Sequence, residues 1–342
     1  MAFPVGTPFG TGAATPSPAY AGVFIPAVWS GKLVEKFYKA TVLGAIANTD
    51  YEGEIKNFGD KVEIRSRPDI TIRDYSADID LTVDRPSVGK QTMNIDQGRY
   101  FNLALDDVME LQSDIDQLSI WAEDAAEQMK INIDSQVLNG DAGSFGDGSG
   151  LTGNTDIPAA NKGLTAGALS SSIRLGTTAA AHFVSKNGTA GSVQDGALVT
   201  TAMSVTDFIV NCGTVLDEQN LPESGRFMII PAWLAGQIKK SDLKDASLAG
   251  DGTSILRNGR LGMVDRFTIY ISNVLAIPAA QTEWPVLFGT KAAVSFASQF
   301  TKLETIRSER SFSNLLRGLQ VFGYKIVNGV ALGEAYILPG ND

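Results

Sequence analysis

The chain has a single cysteine, a single histidine and no apolar run near the roughly 20 residues that a membrane-spanning helix requires. Each shortage closes a class of function. Cys212 has no partner for an internal disulfide, and its place on an apolar helical face suits a small buried hydrophobe. A lone His182 rules out His-rich zinc sites and paired-imidazole metal centres. A serine triad would have to use it as base, yet no Gly-x-Ser-x-Gly elbow accompanies it. Its neighbours in residues 177–185 are small and polar, which predicts a surface or strand histidine. Basic residues are also short: 28 Lys and Arg stand against 38 Asp and Glu, a formal charge of -10. General nucleic-acid binding needs clustered cations to neutralise phosphate and is disfavoured, although one face could still be less acidic than the whole. The first residues lack the basic and continuous apolar regions of a secretory signal, so a soluble intracellular product is expected.

Other chemical motifs are weak. Gly148-Ser149-Gly150-Leu151-Thr152-Gly153 has the spelling of a dinucleotide fingerprint. It follows a long helical pattern, where the fingerprint needs a buried first strand before it and a helix after it, so a turn is expected. Asp141 and Asp147 lie in a Gly-rich loop without the ligand spacing or closing Glu of a calcium loop. The acidic pairs Asp106 with Asp107 and Glu123 with Asp124 diverge around a helix, so neither is poised as an acid and base. No catalytic, cofactor or metal residue is assigned.

A chain of 342 residues and 44% hydrophobic content exceeds the usual single core, so two packed units, or one with large extensions, are expected. Residues 1–26 carry Pro4, Pro8, Pro16, Pro18 and Pro26 among small residues and read as an arm. Phe3, Phe9, Tyr20 and Phe24 make it more apolar than a solvated tail requires. A short amphipathic helix is predicted within residues 27–51, from Val28, Trp29, Leu33, Phe37 and Val42. Residues 52–103 switch to period two through Val62, Ile64, Ile70, Ile72, Ile79, Leu81 and Val83, predicting an extended, largely exposed β-hairpin. Its charges are dense and mixed: Lys61, Arg65, Arg67, Arg73, Asp74, Asp78, Asp80, Asp84, Arg85 and Lys90 among others. An isolated ribbon has no core of its own and should lie on something, although charges that merely protect an edge are the alternative.

Residues 104–139 read as a long spine helix, with Val108, Leu111, Ile115, Leu118, Ala122, Ala125, Met129, Ile133 and Val137 on one stripe. Asp106 and Asp107 would sit at its N-terminus and Asn139-Gly140 would end it, giving a length of roughly 50 Å. Residues 140–203, rich in Gly, Ala and Ser, read as loops or a small insertion with short strands such as 171–175. Ser204-Val205-Thr206-Asp207 has the form of a helix start, and Val205, Phe208, Ile209, Cys212, Val215 and Leu216 share one face. Phe227 to Ile230 is a short strand expected to be buried on both faces. Further strands are predicted at 286–289, 293–297, 319–327 and 330–338, a mixture without strict βαβ alternation that places the fold in the α+β class.

One stretch is more specific than any of these. Leu216-Asp217-Glu218-Gln219-Asn220-Leu221-Pro222-Glu223-Ser224-Gly225-Arg226-Phe227-Met228-Ile229-Ile230-Pro231, followed by Gly259-Arg260-Leu261-Gly262-Met263-Val264-Asp265-Arg266-Phe267-Thr268-Ile269-Tyr270-Ile271-Ser272-Asn273, resembles the major capsid proteins of tailed bacteriophages. Arg266 departs from that pattern by standing where small residues or glycine are common. The order of arm, short helix, charged hairpin, long helix and mixed central segment extends the resemblance over nearly the whole chain.

The resemblance implies the Hong Kong 97 phage-type fold, with 52–103 as an extended loop lying on the neighbouring subunit and 104–139 as the spine of a peripheral domain. It implies an axial domain over 204–287 and a return to the peripheral domain over 288–342. It further implies a structural, non-enzymatic coat protein that forms hexamers and pentamers of an icosahedral head and encloses DNA without reading its sequence. Phe3, Phe9, Tyr20, Phe24, Lys61, Arg65, Arg67, Arg73, Asp74, Asp78, Asp80, Asp84, Arg85 and Lys90 become candidate inter-subunit contacts. A separate scaffolding protein, a portal and a decoration protein are the further partners, with assembly in the bacterial cytoplasm and the virion capsid as destination. Some members of the family join a lysine to an asparagine covalently. Lys56, Lys61 and Lys90 lie on the loop, but nothing local marks an asparagine or acid, so no cross-link is expected. A cellular encapsulating shell that packages a cargo enzyme, and a soluble enzyme with an unrecognised site, are the alternatives.

Overall fold

The computed structural model describes residues 38–50, 61–68, 70–75, 77, 80, 83–107, 117–140, 150–167, 175–177, 181–188, 202–241, 261–275, 283–309 and 312–340. All of these fall in the unit that runs from Phe37 to Asp342. The arm therefore lies outside the described residues, as does most of the helix predicted over 27–51. What is described of that helix is one turn, α1 (Leu43–Ile46), preceded by non-helical residues 38–42.

Strands β1 (Lys61–Arg65) and β2 (Lys90–Asn94) pair antiparallel as a two-stranded sheet. Strand β3 (Gln97–Asp106) then leaves this ribbon and joins another sheet. The expected boundary between hairpin and helix at residue 104 falls inside β3. Asp106 thus ends a strand, whereas Asp107 is helical and paired with Arg307; residues 108–116 lie outside the described residues. Alternation of Phe101, Leu103 and Leu105 with polar or small neighbours is the period-two pattern of this strand. Of the helical stripe expected further on, Leu118, Ala122, Ala125, Met129, Ile133 and Val137 lie in a helix, and Val108, Leu111 and Ile115 lie outside the described residues.

Among the described residues helix α2 covers Gln117–Asn139, about 35 Å at 1.5 Å per residue. It stops where expected, with Gly140 at φ 77 and its amide bonded to the Gln136 carbonyl. The next described segment caps it: the amides of Leu151 and Thr152 donate to the carbonyls of Val137 and Leu138, each at 2.9 Å. This is the role of residues 150–152 of the glycine-rich sequence. Gly150 lies so close to the helix end that a Cβ would strike the Asn139 carbonyl carbon and the Gly140 nitrogen. No helix follows it, so the dinucleotide reading fails on geometry.

Beyond two short 3-10 turns, Ala159–Asn161 and Gly163–Thr165, come strands β4 (His182–Ser185) and β5 (Ala202–Ser204). They are followed by helix α3 (Val205–Glu218), strand β6 (Arg226–Ile230), helix α4 (Ala232–Lys240), strands β7 (Met263–Val264) and β8 (Phe267–Ile271), and β9 (Trp284–Thr290). Strands β10 (Val294–Arg307), β11 (Ser313–Ile326) and β12 (Leu332–Pro339) complete the series. The Ser204 side chain accepts the Asp207 amide at 3.1 Å and caps α3, and the six residues assigned to that helix's inner face are all buried.

Seven strands form one mixed sheet in the order β5-β4-β12-β9-β6-β8-β7. Its strand β6 is buried throughout and feeds two cores. Met228 and Ile230 pack with α3 and α4, while Phe227 and Ile229 pack with the end of α2, α1, Val274 and the base of β10 and β11. Within 140–203, expected to be loops or a small insertion with short strands, residues 182–185 and 202–204 are central-sheet strands, and His182, expected on the surface or in a strand, is a buried strand residue. The expected boundary at 287 cuts β9, and β12 lies between β4 and β9 in the same sheet instead of returning elsewhere. Buried β-branched and aromatic residues with no polar alternation look alike in sequence wherever they pack, so sheet membership was not legible.

The second sheet, β10-β11-β3, is antiparallel throughout. Its strands β10 and β11 are each 14 residues long and run well past the predicted 293–297 and 319–327, through charged and polar residues such as Lys302, Glu304 and Arg317.

Candidate inter-subunit surface

The ribbon of β1 and β2 is anchored at one end and projects at the other. Ile64 and Met93 are buried with Ile95 and Ala297, and Val62, Val321 and Val327 pack around them. Across the ribbon, Lys90 pairs with Glu63 at 3.2 Å, and the Ser66 amide bonds the Gly89 carbonyl at 2.9 Å. Between residues 66 and 89 no described residue is in a strand, so within the hairpin predicted over 52–103 the described residues of 66–89 form an extended loop beyond the β1–β2 ladder. Arg73 and Asp84 bridge its two arms at 3.0 Å while each remains about half exposed.

Of the charged residues expected to make contacts, Lys61, Arg65, Arg67, Asp74, Asp80 and Arg85 are exposed. Arg73, Asp84 and Lys90 are exposed but engaged within the loop or ribbon. Asp78, Phe3, Phe9, Tyr20, Phe24 and Lys56 lie outside the described residues. The structure brings forward a different set. Ile70 is 72% exposed, Ile72 88%, Tyr75 77%, Val83 87% and Val88 55%. Burying one such side chain is worth about 1.5–3 kcal/mol, so five on one loop constitute a large unspent association energy. The period-two spacing of Ile70, Ile72 and Val83 in a largely exposed ribbon was visible in the sequence; Tyr75 and Val88 stood outside that pattern.

A surface of matching character lies on the second sheet. Strand β3 and helix α2 enclose an open cleft of about 660 Å³. Phe101, Leu103, Trp121 and Met129 give it apolar walls, and Asp124 lies at its edge. The Tyr38 hydroxyl donates to Asp124 at 2.8 Å; that bond, with burial and the charges of Asp124, Glu127 and Glu123, raises the tyrosine pKa. Carboxylates of α2 thus cluster around Tyr38, while Arg99 also lines the cleft and Lys130 pairs with Glu127. Tyr100 of β3 is 79% exposed. On the other sheet face Glu304 binds Lys302 at 2.7 Å and Arg317 at 2.9 Å, and the Lys302 hydrogen bond leads in holding its carboxyl below the ordinary range.

Among the described residues, no group of three or more His, Cys, Asp or Glu side chains could hold a metal ion. Cys212 is fully buried, and burial pushes its thiol pKa well up, away from nucleophilic chemistry. No described helix is long and apolar enough to cross a membrane.

No protein-family model and no curated protein matches the sequence. Solved structures do match. A chain of Mycobacterium phage Che8 aligns with a TM-score of 0.66 and 24% identity, covering 92% of this chain and 97% of its own. A chain in the capsid of cyanophage P-SCSP1u gives 0.62 at 16% identity over 93% and 94%. One in the capsid of the native GTA particle gives 0.63 at 14% identity over 95% and 99%. The chain thus has the α+β fold of these capsid chains along nearly its whole length.

Proposed function

We propose that this chain is the major coat protein of a tailed-phage head, a structural subunit without enzymatic activity. It assembles with copies of itself, as hexamers and pentamers, into an icosahedral shell around double-stranded DNA. The observation that carries the proposal is the 66–89 loop, which exposes five large apolar side chains on a fold shared with capsid chains. A monomeric enzyme has no use for such a loop, whereas a subunit that meets its neighbours in a closed assembly does.

In this reading the loop of one copy lies on a neighbour, and the cleft between β3 and α2 receives it. Apolar residues supply the affinity, and Arg65, Arg67 and Arg85 against the carboxylates of α2 around Tyr38 set the register. The three-stranded sheet with α2 corresponds to the peripheral part of the subunit, and the seven-stranded sheet with α3 and α4 to the axial part. Scaffolding, portal and decoration proteins would be separate chains, with assembly in the host cytoplasm. Sedimentation and electron microscopy of the expressed full chain test this directly. Shells or ring-shaped capsomers are expected. A chain that stays monomeric at high concentration overturns the proposal, and shells that hold a cargo enzyme instead of DNA in their native host point to a cellular compartment.

A further inference from the structure

Strands β7 and β8 are joined by two residues only, since Val264 pairs with Phe267 in register. Both turn residues are left-handed, Asp265 at φ 44 and Arg266 at φ 66. A two-residue hairpin with positive φ at both positions favours Asn or Asp followed by Gly. Asp265 satisfies the first preference and Arg266 violates the second. A non-glycine residue there disfavours the turn by a factor of about five to thirty.

The Arg266 side chain supplies the compensation. Its guanidinium spans Asp217 on α3 with contacts of 2.7 and 3.3 Å and reaches Glu223 at 3.5 Å. Asp217 is shared. Its other partner is Arg226, whose side chain is fully buried and binds Asp217 at 2.7 Å together with the carbonyls of Pro222, Leu221 and Gly213. The sharing is unequal. If Arg266 lets go, Asp217 still neutralises Arg226 and no buried charge is left alone, so this arm can open without disrupting the core. Arg266 is 34% exposed and within reach of salt. Beside it, Asp265 lies against Gly213 so closely that a Cβ on the helix would strike its carboxylate, leaving α3 and the turn in direct contact.

We propose that Arg266 is a positioning residue. Its ion pair with Asp217 locks the β7–β8 hairpin against the end of α3 in a turn its own sequence disfavours, making a salt-sensitive hinge at the edge of the seven-stranded sheet.

Hydrogen exchange of the full chain, followed by mass spectrometry over residues 261–271, tests this with β9 as internal reference. In the wild type, exchange of the hairpin should rise about fivefold from low to high sodium chloride while β9 stays constant. Arg266→Ala keeps the strained backbone without the pair, so its hairpin should exchange fast at low salt and ignore salt. Arg266→Gly relieves the strain and should restore protection, again without salt dependence. A wild-type hairpin indifferent to salt, or an Arg266→Ala hairpin as protected as wild type, overturns the proposal. So does Arg266→Gly exchanging as fast as Arg266→Ala.

Discussion

The buried carboxylate of Asp134, in the penultimate turn of α2, accepts the amide of Leu43 at 2.9 Å across 91 residues of sequence. The Val42 amide adds a second bond at 3.2 Å, so one side chain of the spine helix caps α1. No cap of this kind is local, because Val42 at the N-cap offers no oxygen. Asp134→Ala should therefore strand two buried N–H groups and cost about 2–4 kcal/mol in urea unfolding. Asp134→Asn keeps an acceptor and should cost clearly less. Equal loss in both variants would show that charge, not the bonds, holds the segment.

Glu334 on β12 is buried and accepts the Gly153 amide at 2.7 Å. Burial raises its pKa against the opposing pull of Gly153, the Tyr336 hydroxyl and Lys162. The sign follows from the direction. An acid with a raised folded pKa binds its proton better when folded, so its share of stability is full below the ordinary Glu range and falls as pH rises through the folded pKa. Glu334→Gln should match the wild type in acid and exceed it in stability at neutral pH. Thermal melts at both pH values measure the difference. A variant less stable at neutral pH would mean that the charged bonds to Gly153 and Tyr336 outweigh desolvation.

Gly150 joins these two features, since residues 150–153 rest on the end of α2 at one side and on Glu334 at the other. Gly150→Ala places a methyl group against the backbone at residues 138–140, where no side chain can move aside. A loss of about 2–3 kcal/mol is expected, as for overpacking of a tight core. Protection of the α2 C-terminal amides in hydrogen exchange should fall with it.

How far the sequence disclosed this arrangement depended on whether the signal was local. Ser204 with Asp207, Gly140 and the apolar run 227–230 work within a few residues and were readable as a cap, a stop and a buried strand. Asp134 with Leu43, or Glu334 with Gly153, join positions far apart, and a single acidic residue on a helix or strand looks solvated until its distant partner is known. The spine was begun at 104 because Leu105 continues both a period-two and a helical pattern, whereas β3 runs to Asp106. On the candidate surface, the charged residues drew attention by their density. The weight falls instead on Ile70, Ile72 and Val83, read only as the apolar half of an alternation in a largely exposed ribbon.

That reversal separates two accounts of the loop. If charges hold it to a neighbour, Arg65→Glu with Arg67→Glu should block particle formation, and raised salt should do the same to the wild type. If apolar burial holds it, Ile72→Glu with Val83→Glu should block formation at every salt concentration, because each introduced carboxylate would have to be desolvated. The exposures of 88% and 87% favour the second as the source of affinity, with the arginines setting register. The apolar double variant should therefore abolish particles in sedimentation, and the arginine double variant should slow or misdirect their formation. Both subunits should keep the wild-type melting temperature, since all four side chains are exposed among the described residues. Normal particles from the apolar double variant would remove the loop from the interface altogether.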